Sequence, residues 1–171
     1  MMASPTEAHQ DLLGWLYVEI SLYIRAKEGN CKVYPAPFAV YIADDQHNYI
    51  EPDITVICDW EKLDEKGCHG APDWVIEIVS PSSKYLDSVR KLSLYERTGV
   101  REYWLVDPVG KSVTVYRLES KEGPEVYSFT DQVKAGIYED FVIDFGEYQM
   151  NRVPDCYIFY FCGNIFYACI V

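Results

Sequence analysis

The sequence predicts a mixed α/β protein, a single β-sheet flanked by helices. Three observations carry this. Helical periodicity appears near the start (Thr6–Lys27) and again at Ser83–Thr98, each followed by strand-like segments. Trp74–Val79 is a short, nearly continuous apolar run, as expected of a central strand covered on both faces. The order helix, strands, helix, strands fits a mixed sheet better than a bundle or a sandwich.

The first helix is amphipathic, with Leu12, Leu16, Ile20 and Tyr23 at helical spacing and Gly29-Asn30 as a stop. Val33–Ile42 reads as a strand, and Pro35 and Pro37 mark it as an edge or give it an irregular start. Asp44–Asn48 is a polar turn, Ile54–Cys58 a second strand, and Asp59–Pro72 an acidic connection. After Trp74–Val79, Ser80-Pro81-Ser82-Ser83 offers a helix N-cap, and Gly99 ends the helix that follows. Tyr103–Val106, Ser112–Leu118 and Val126–Thr130 then read as strands of a meander, with polar Glu119–Pro124 between the last two.

Composition narrows the classes of function. A length of 171 residues fits one domain, and 49% hydrophobic with 25% charged residues excludes a disordered chain. Acids outnumber bases 27 to 15, a net charge of −12, which argues against a basic coat for nucleic acid. It leaves room for a nuclease, whose carboxylates add negative charge and whose basic contacts are local. The six cysteines (Cys31, Cys58, Cys68, Cys156, Cys162, Cys169) form no C-x-x-C pair, so no structural zinc is expected. The start lacks the basic and apolar regions of a signal peptide, so reduced thiols in a cytoplasmic protein are expected. From Cys156 to Val171 no residue is charged. That stretch is shorter than a membrane span of about 20 residues. It reads as an anchor, a packed hairpin tail around Gly163-Asn164, or an end foreign to the domain.

Three residues could carry chemistry. Asp53 follows a proline at the mouth of a strand, and Glu77 lies inside the apolar run, where a carboxylate is costly unless paired or metal-bound. The plain alternative for Glu77 is the open face of an edge strand. Lys91 follows on the next helix, where an ion pair with Asp87 at i, i+4 is the plain alternative. Together, two carboxylates from neighbouring strands and a lysine from the adjacent helix suit a hard divalent cation such as Mg²⁺. The lysine would orient water or offset charge on an attacked phosphorus.

The run Pro52-Asp53-Ile54, then Gly70-Ala71-Pro72-Asp73-Trp74 through Glu77 to Ser83, resembles the Uma family of putative restriction endonucleases. Lys91-Leu92 with Leu94-Tyr95, and Gly99-Val100-Arg101-Glu102-Tyr103-Trp104-Leu105-Val106-Asp107-Pro108, extend the resemblance, which covers about Met2 to Tyr148 and includes His9-Gln10. That family is similar to the PD-(D/E)XK nuclease superfamily, so the resemblance implies a restriction-endonuclease-like mixed β-sheet flanked by helices. Asp53 then takes the place of the "PD" acid and Glu77 that of the second acid. Val79 stands where the superfamily has lysine, and Lys91 takes the place of the family's displaced lysine. The Ile78 carbonyl would complete the metal shell. Asp87 and Tyr95 match family positions without a set role, and Ser80 ends the strand or supports the site.

The resemblance implies an endonuclease that uses Mg²⁺, or Mn²⁺, to hydrolyse DNA phosphodiester bonds, with no small-molecule cofactor and no membrane association. It allows a homodimer. The alternative is a catalytically inactive endonuclease-fold protein that serves as a binding or interaction domain. The expected organisation is one domain over residues 1–150, shortened at its N-terminus relative to the family, and an atypical apolar tail over 151–171. Local charge fits DNA contact near Lys91: Lys84 to Arg101 carries +3, whereas Asp44 to Glu65 carries −7.

Overall fold

Helix α1 (Glu7–Ala26) begins at Thr6, whose Oγ1 accepts the His9 N–H at 3.3 Å, and buries Leu12, Leu16, Ile20 and Ile24 as one stripe. The computed structural model, which describes residues 5–42, 49–79, 86–120 and 123–150, continues through thirteen further elements. These are β1 (Lys32–Pro35), β2 (Val40–Tyr41), β3 (Ile54–Ile57), a 3-10 turn at Trp60–Lys62, β4 (Cys68–His69) and β5 (Trp74–Ile78). Next come α2 (Leu86–Thr98), β6 (Glu102–Asp107), β7 (Ser112–Arg117) and β8 (Glu125–Ser128). The last are β9 (Gln132–Lys134), β10 (Val142–Asp144) and α3 (Phe145–Met150).

Six strands form the main sheet in the order β1-β3-β5-β6-β7-β8. Only β5 and β6 run parallel, joined through α2, and the other neighbours are antiparallel. The mixed sheet flanked by helices is therefore as expected. Alternation along β5 divides the core. Trp74, Ile76 and Ile78 face the layer of Leu12, Leu16 and Ile20, and Val75 faces Tyr95, Val100 and Tyr103. All five β5 side chains are buried, so Glu77 is not on an open face. Gly99, at φ +91°, ends α2 in the left-handed region, and the Val100 N–H closes back on the Tyr95 carbonyl at 3.1 Å.

Several segments depart from expectation. Val33–Ile42 is not one strand: it breaks at Ser-free, proline-rich Pro35-Ala36-Pro37, with a cis Ala36–Pro37 bond, because proline offers no ladder N–H. The first part, β1, is the edge strand, whereas β2 leaves the sheet to pair in parallel with β4 inside the connection Asp59–Pro72. Val40, Ile57 and Cys68 form a small core beneath this ribbon. Residues 131–150, unassigned from pattern, build β9, β10 and α3 and pack Val133, Phe141, Ile143 and Phe145 into the α1 layer. Trp15 meets Phe145 and Tyr148 there, with ring centroids 5.4 and 5.2 Å apart. Glu102 braces this layer from β6. Its Oε1 accepts from the Trp104 indole at 2.6 Å and its Oε2 from the Ile137 N–H at 2.9 Å, and burial raises its carboxyl. The turn at Asp44–Asn48, the cap at Ser80–Ser83 and the tail over 151–171 lie outside the described residues. Among the described residues no helix is long and apolar enough to cross a membrane.

The expectation of reduced thiols fails at one pair. Cys31 and Cys58 form a disulfide, while Cys68 is free and buried. The physical reason is register. Lys32 pairs with Ile57 across β1 and β3, so the next two residues outward, Cys31 and Cys58, stand opposite each other. The bond closes a loop with a sequence separation of 27. In the chain-entropy picture such a loop contributes about 3–4 kcal/mol. Cys31→Ser with Cys58→Ser, or excess reductant, is expected to lower unfolding free energy by about that amount in urea titrations. An unchanged midpoint would show that the edge strand is held by packing alone.

Candidate active site

The β3/β5 register creates the site. Ile54 pairs with Ile76 in an antiparallel ladder, so Asp53, one residue before β3, stands across from Glu77. Both belong to the sheet face covered by α2. Their local sequences explain why. Pro52 lacks a ladder N–H and delays the strand until Ile54, leaving Asp53 at its mouth. Glu77 sits between Ile76 and Ile78, whose opposite parity turns them into the α1 layer.

Among the described residues each carboxylate is held through one oxygen. Asp53 Oδ2 accepts the Ile78 N–H at 2.7 Å and lies 3.2 Å from His9 Nε2. Glu77 Oε1 accepts the Tyr95 hydroxyl at 2.7 Å and lies 3.0 Å from Lys91 Nζ. Lys91 and Tyr95 are four residues apart on α2, so one helical face delivers both groups. Lys91 thus pairs with Glu77, while the Asp87 side chain of the alternative helix pair, and Ser80, lie outside the described residues.

The electrostatics follow from this packing. Glu77 is 7% exposed, and burial pushes its carboxyl up to about 6. The Lys91 charge and the Tyr95 and Lys91 hydrogen bonds pull it down, while the Asp53 charge adds to the rise. Burial beside Glu77 also raises Tyr95, which stays a hydrogen-bond donor. The hydrogen bond to Asp53 raises His9 against the opposing effect of burial.

Two carboxylates and a backbone carbonyl form a hard-oxygen set. Ile78 points its N–H toward Asp53, and in an extended strand the carbonyl of the same residue points to the same edge. This fits Mg²⁺ or Mn²⁺, which keep several waters and need few protein ligands. Among the described residues no cluster of three or more His, Cys, Asp or Glu side chains could hold a metal, so a closed all-protein cage is absent there.

The structure thus brings Asp53, Glu77, Lys91 and the Ile78 backbone together. It adds His9, and it gives Tyr95 a definite contact. His9 had a signal in the sequence: it continues the stripe of Leu12, Leu16 and Ile20, where a polar side chain is out of place unless paired. Arg101, counted within the basic segment, belongs elsewhere. It bridges Asp73 at 3.2 Å and Glu119 at 3.0 Å at the start of β6, while the other Asp73 oxygen accepts the Cys58 N–H at 2.7 Å. Pro52-Asp53 therefore reaches the candidate site, whereas Pro72-Asp73 pins strand ends.

A mixed sheet with opposed acids at the mouth of its central strands is the frame in which known proteins can be compared. The chain matches the Uma2 family, described as putative restriction endonuclease, over residues 1–146, and belongs to that family. A solved structure from Anabaena variabilis, titled a putative nuclease belonging to DUF820, shares the fold with a TM-score of 0.65. The two are 22% identical, and the match covers 79% of this chain and 75% of that one. No curated protein matches the chain.

Glu77 gives a pH-dependent expectation. Its folded value of about 6 lies above the ordinary 4.5, so the stabilisation from its protonated form is complete below pH 4.5 and lost as pH rises through 6. In chelator, unfolding free energy is expected to fall across that window more steeply for the parent than for Glu77→Gln. His9, raised from 6.5, loses its contribution at higher pH and does not mask the effect. Equal slopes in the two proteins, measured by denaturant titration from pH 4 to 7, would contradict the burial of a titrating Glu77.

Proposed function

We propose that the protein is a metal-dependent endonuclease that hydrolyses phosphodiester bonds in DNA. The observation that carries the reading is the opposition of Asp53 and Glu77 across β3 and β5, with Lys91 at the same carboxylate. Family membership supports the nuclease class. Asp53, Glu77 and the Ile78 carbonyl hold Mg²⁺, with Mn²⁺ as a substitute. When bound, such an ion supplies Lewis acidity toward a phosphoryl oxygen and lowers the pKa of water.

The chain's own groups do the rest. Asp53 and Glu77 bind and orient, and a Glu77 carboxyl lifted to about 6 is ionised at neutral pH. Lys91 reaches from α2 to the site, where its ammonium orients the attacking water and offsets charge gathering on phosphorus. Val79 has the same parity as Glu77, so position 79 addresses the same face without supplying a cation. Tyr95 fixes Glu77 and donates no proton to substrate. A cytoplasmic location accompanies this reading.

Plasmid nicking with Mg²⁺ tests the proposal. The parent is expected to nick and linearise supercoiled DNA, and Glu77→Ala to be inert. A folded parent that leaves DNA intact with both Mg²⁺ and Mn²⁺ would favour a binding domain instead. Lys91→Ala is expected to slow cleavage by ~10²–10³ while Mg²⁺ still binds, since lysine is no ligand. Adding Val79→Lys to that variant should return part of the rate. Cleavage at the parental rate by Lys91→Ala would reduce Lys91 to a structural counter-ion of Glu77.

A further inference from the structure

His9 is the one side chain from α1 that reaches the acid pair, and the fold bears a cost to place it there. It is 7% exposed, and its Nδ1 is buried with no hydrogen-bond partner. A histidine serving packing alone would do better as leucine, because the stripe it continues is apolar and an orphaned ring nitrogen is unfavourable. Its other nitrogen, Nε2, lies 3.2 Å from Asp53 Oδ2. An ionised carboxylate only accepts, so Nε2 carries the hydrogen. The Ile78 N–H donates to that same Oδ2 at 2.7 Å. Two donors from different layers therefore fix one oxygen of Asp53, and neither uses Oδ1.

We propose that His9 is a positioning residue: with the Ile78 N–H it locks Asp53 through Oδ2 and presents Oδ1 to the divalent cation. The proposal rests on the metal-dependent reading above and extends the site to α1. Glu77 is held in the same manner from α2, so each acid is oriented by a different helix and by a single oxygen. Groups that orient metal-binding carboxylates from behind affect affinity strongly, typically 10–100-fold.

The test uses the full chain with His9→Leu, His9→Asn and His9→Gln. The glutamine amide nitrogen reaches the position of Nε2, whereas that of asparagine stops short. Mn²⁺ titration calorimetry is expected to show about 10–100-fold weaker binding for the Leu and Asn variants and near-parental binding for Gln. In chelator, amide exchange at Ile78 should be faster in Leu and Asn than in the parent, and parental in Gln. This second measurement needs no metal. If the parent binds no Mn²⁺, the metal reading fails, and the Ile78 exchange still decides whether His9 holds Asp53. Parental affinity and parental exchange in His9→Asn, or failure of Gln to restore either, would overturn the assignment. Since Asn and Gln are both polar, a folding defect confined to Leu leaves the comparison intact.

Discussion

A carboxylate in the middle of a buried strand is the constraint around which this protein is arranged. Every side chain of β5 is inside, and Glu77 is among them. Left alone it would be neutral at physiological pH or would destabilise the sheet. Tyr95 and Lys91 meet this requirement from a single turn of α2. The crossover between β5 and β6 is thus more than a connection. It places a phenol and an ammonium over one strand residue, and Gly99 turns the chain back so that β6 can pair in parallel.

Opposite faces of the sheet do different work. The α1 side is a broad aromatic and aliphatic layer, extended by Phe141, Ile143 and Phe145 and by the Trp74–Trp104 contact at 4.7 Å. Fully burying side chains of this size is worth ~1.5–3 kcal/mol each, so stability concentrates there. The α2 side has a smaller apolar cluster and carries the acids. Their separation lets one face tolerate a charged, partly unsatisfied arrangement because the other secures the fold. At the far end of β5, Asp73 receives Arg101 and the Cys58 N–H and keeps the strand starts aligned. A slip of one residue there would send Glu77 into the α1 layer.

What could be read from the sequence follows from how local each signal is. The strands β3, β5, β6 and β7 and both long helices announce themselves because their apolar residues recur within a few positions. Asp53 and Glu77 stood out for the same reason: each breaks a local pattern. Lys91 breaks no pattern, since a lysine on a helix is ordinary, and it gained weight only beside the two acids and from the resemblance. The two-residue strands β2 and β4 have no pattern of their own and exist because Val40, Ile57 and Cys68 pack together. The Cys31–Cys58 bond was hidden because the spacing of the cysteines says nothing until the β1/β3 register is known. His9 carried a signal, but its partner lies 44 residues away, and proximity of that kind belongs to the fold alone.

The site draws on four segments separated in sequence, with a span of 44 residues between His9 and Asp53 and 18 between Glu77 and Tyr95. No fragment ending before α2 contains both acids and the groups that hold Glu77. During synthesis the N-terminal part of a domain emerges first, and non-local pairings close late. A ribosome-bound chain therefore has α1 and the acid strands before it has the lysine. The arrangement around Glu77 is a product of completed folding, and a chain cut before α2 lacks both groups that hold it.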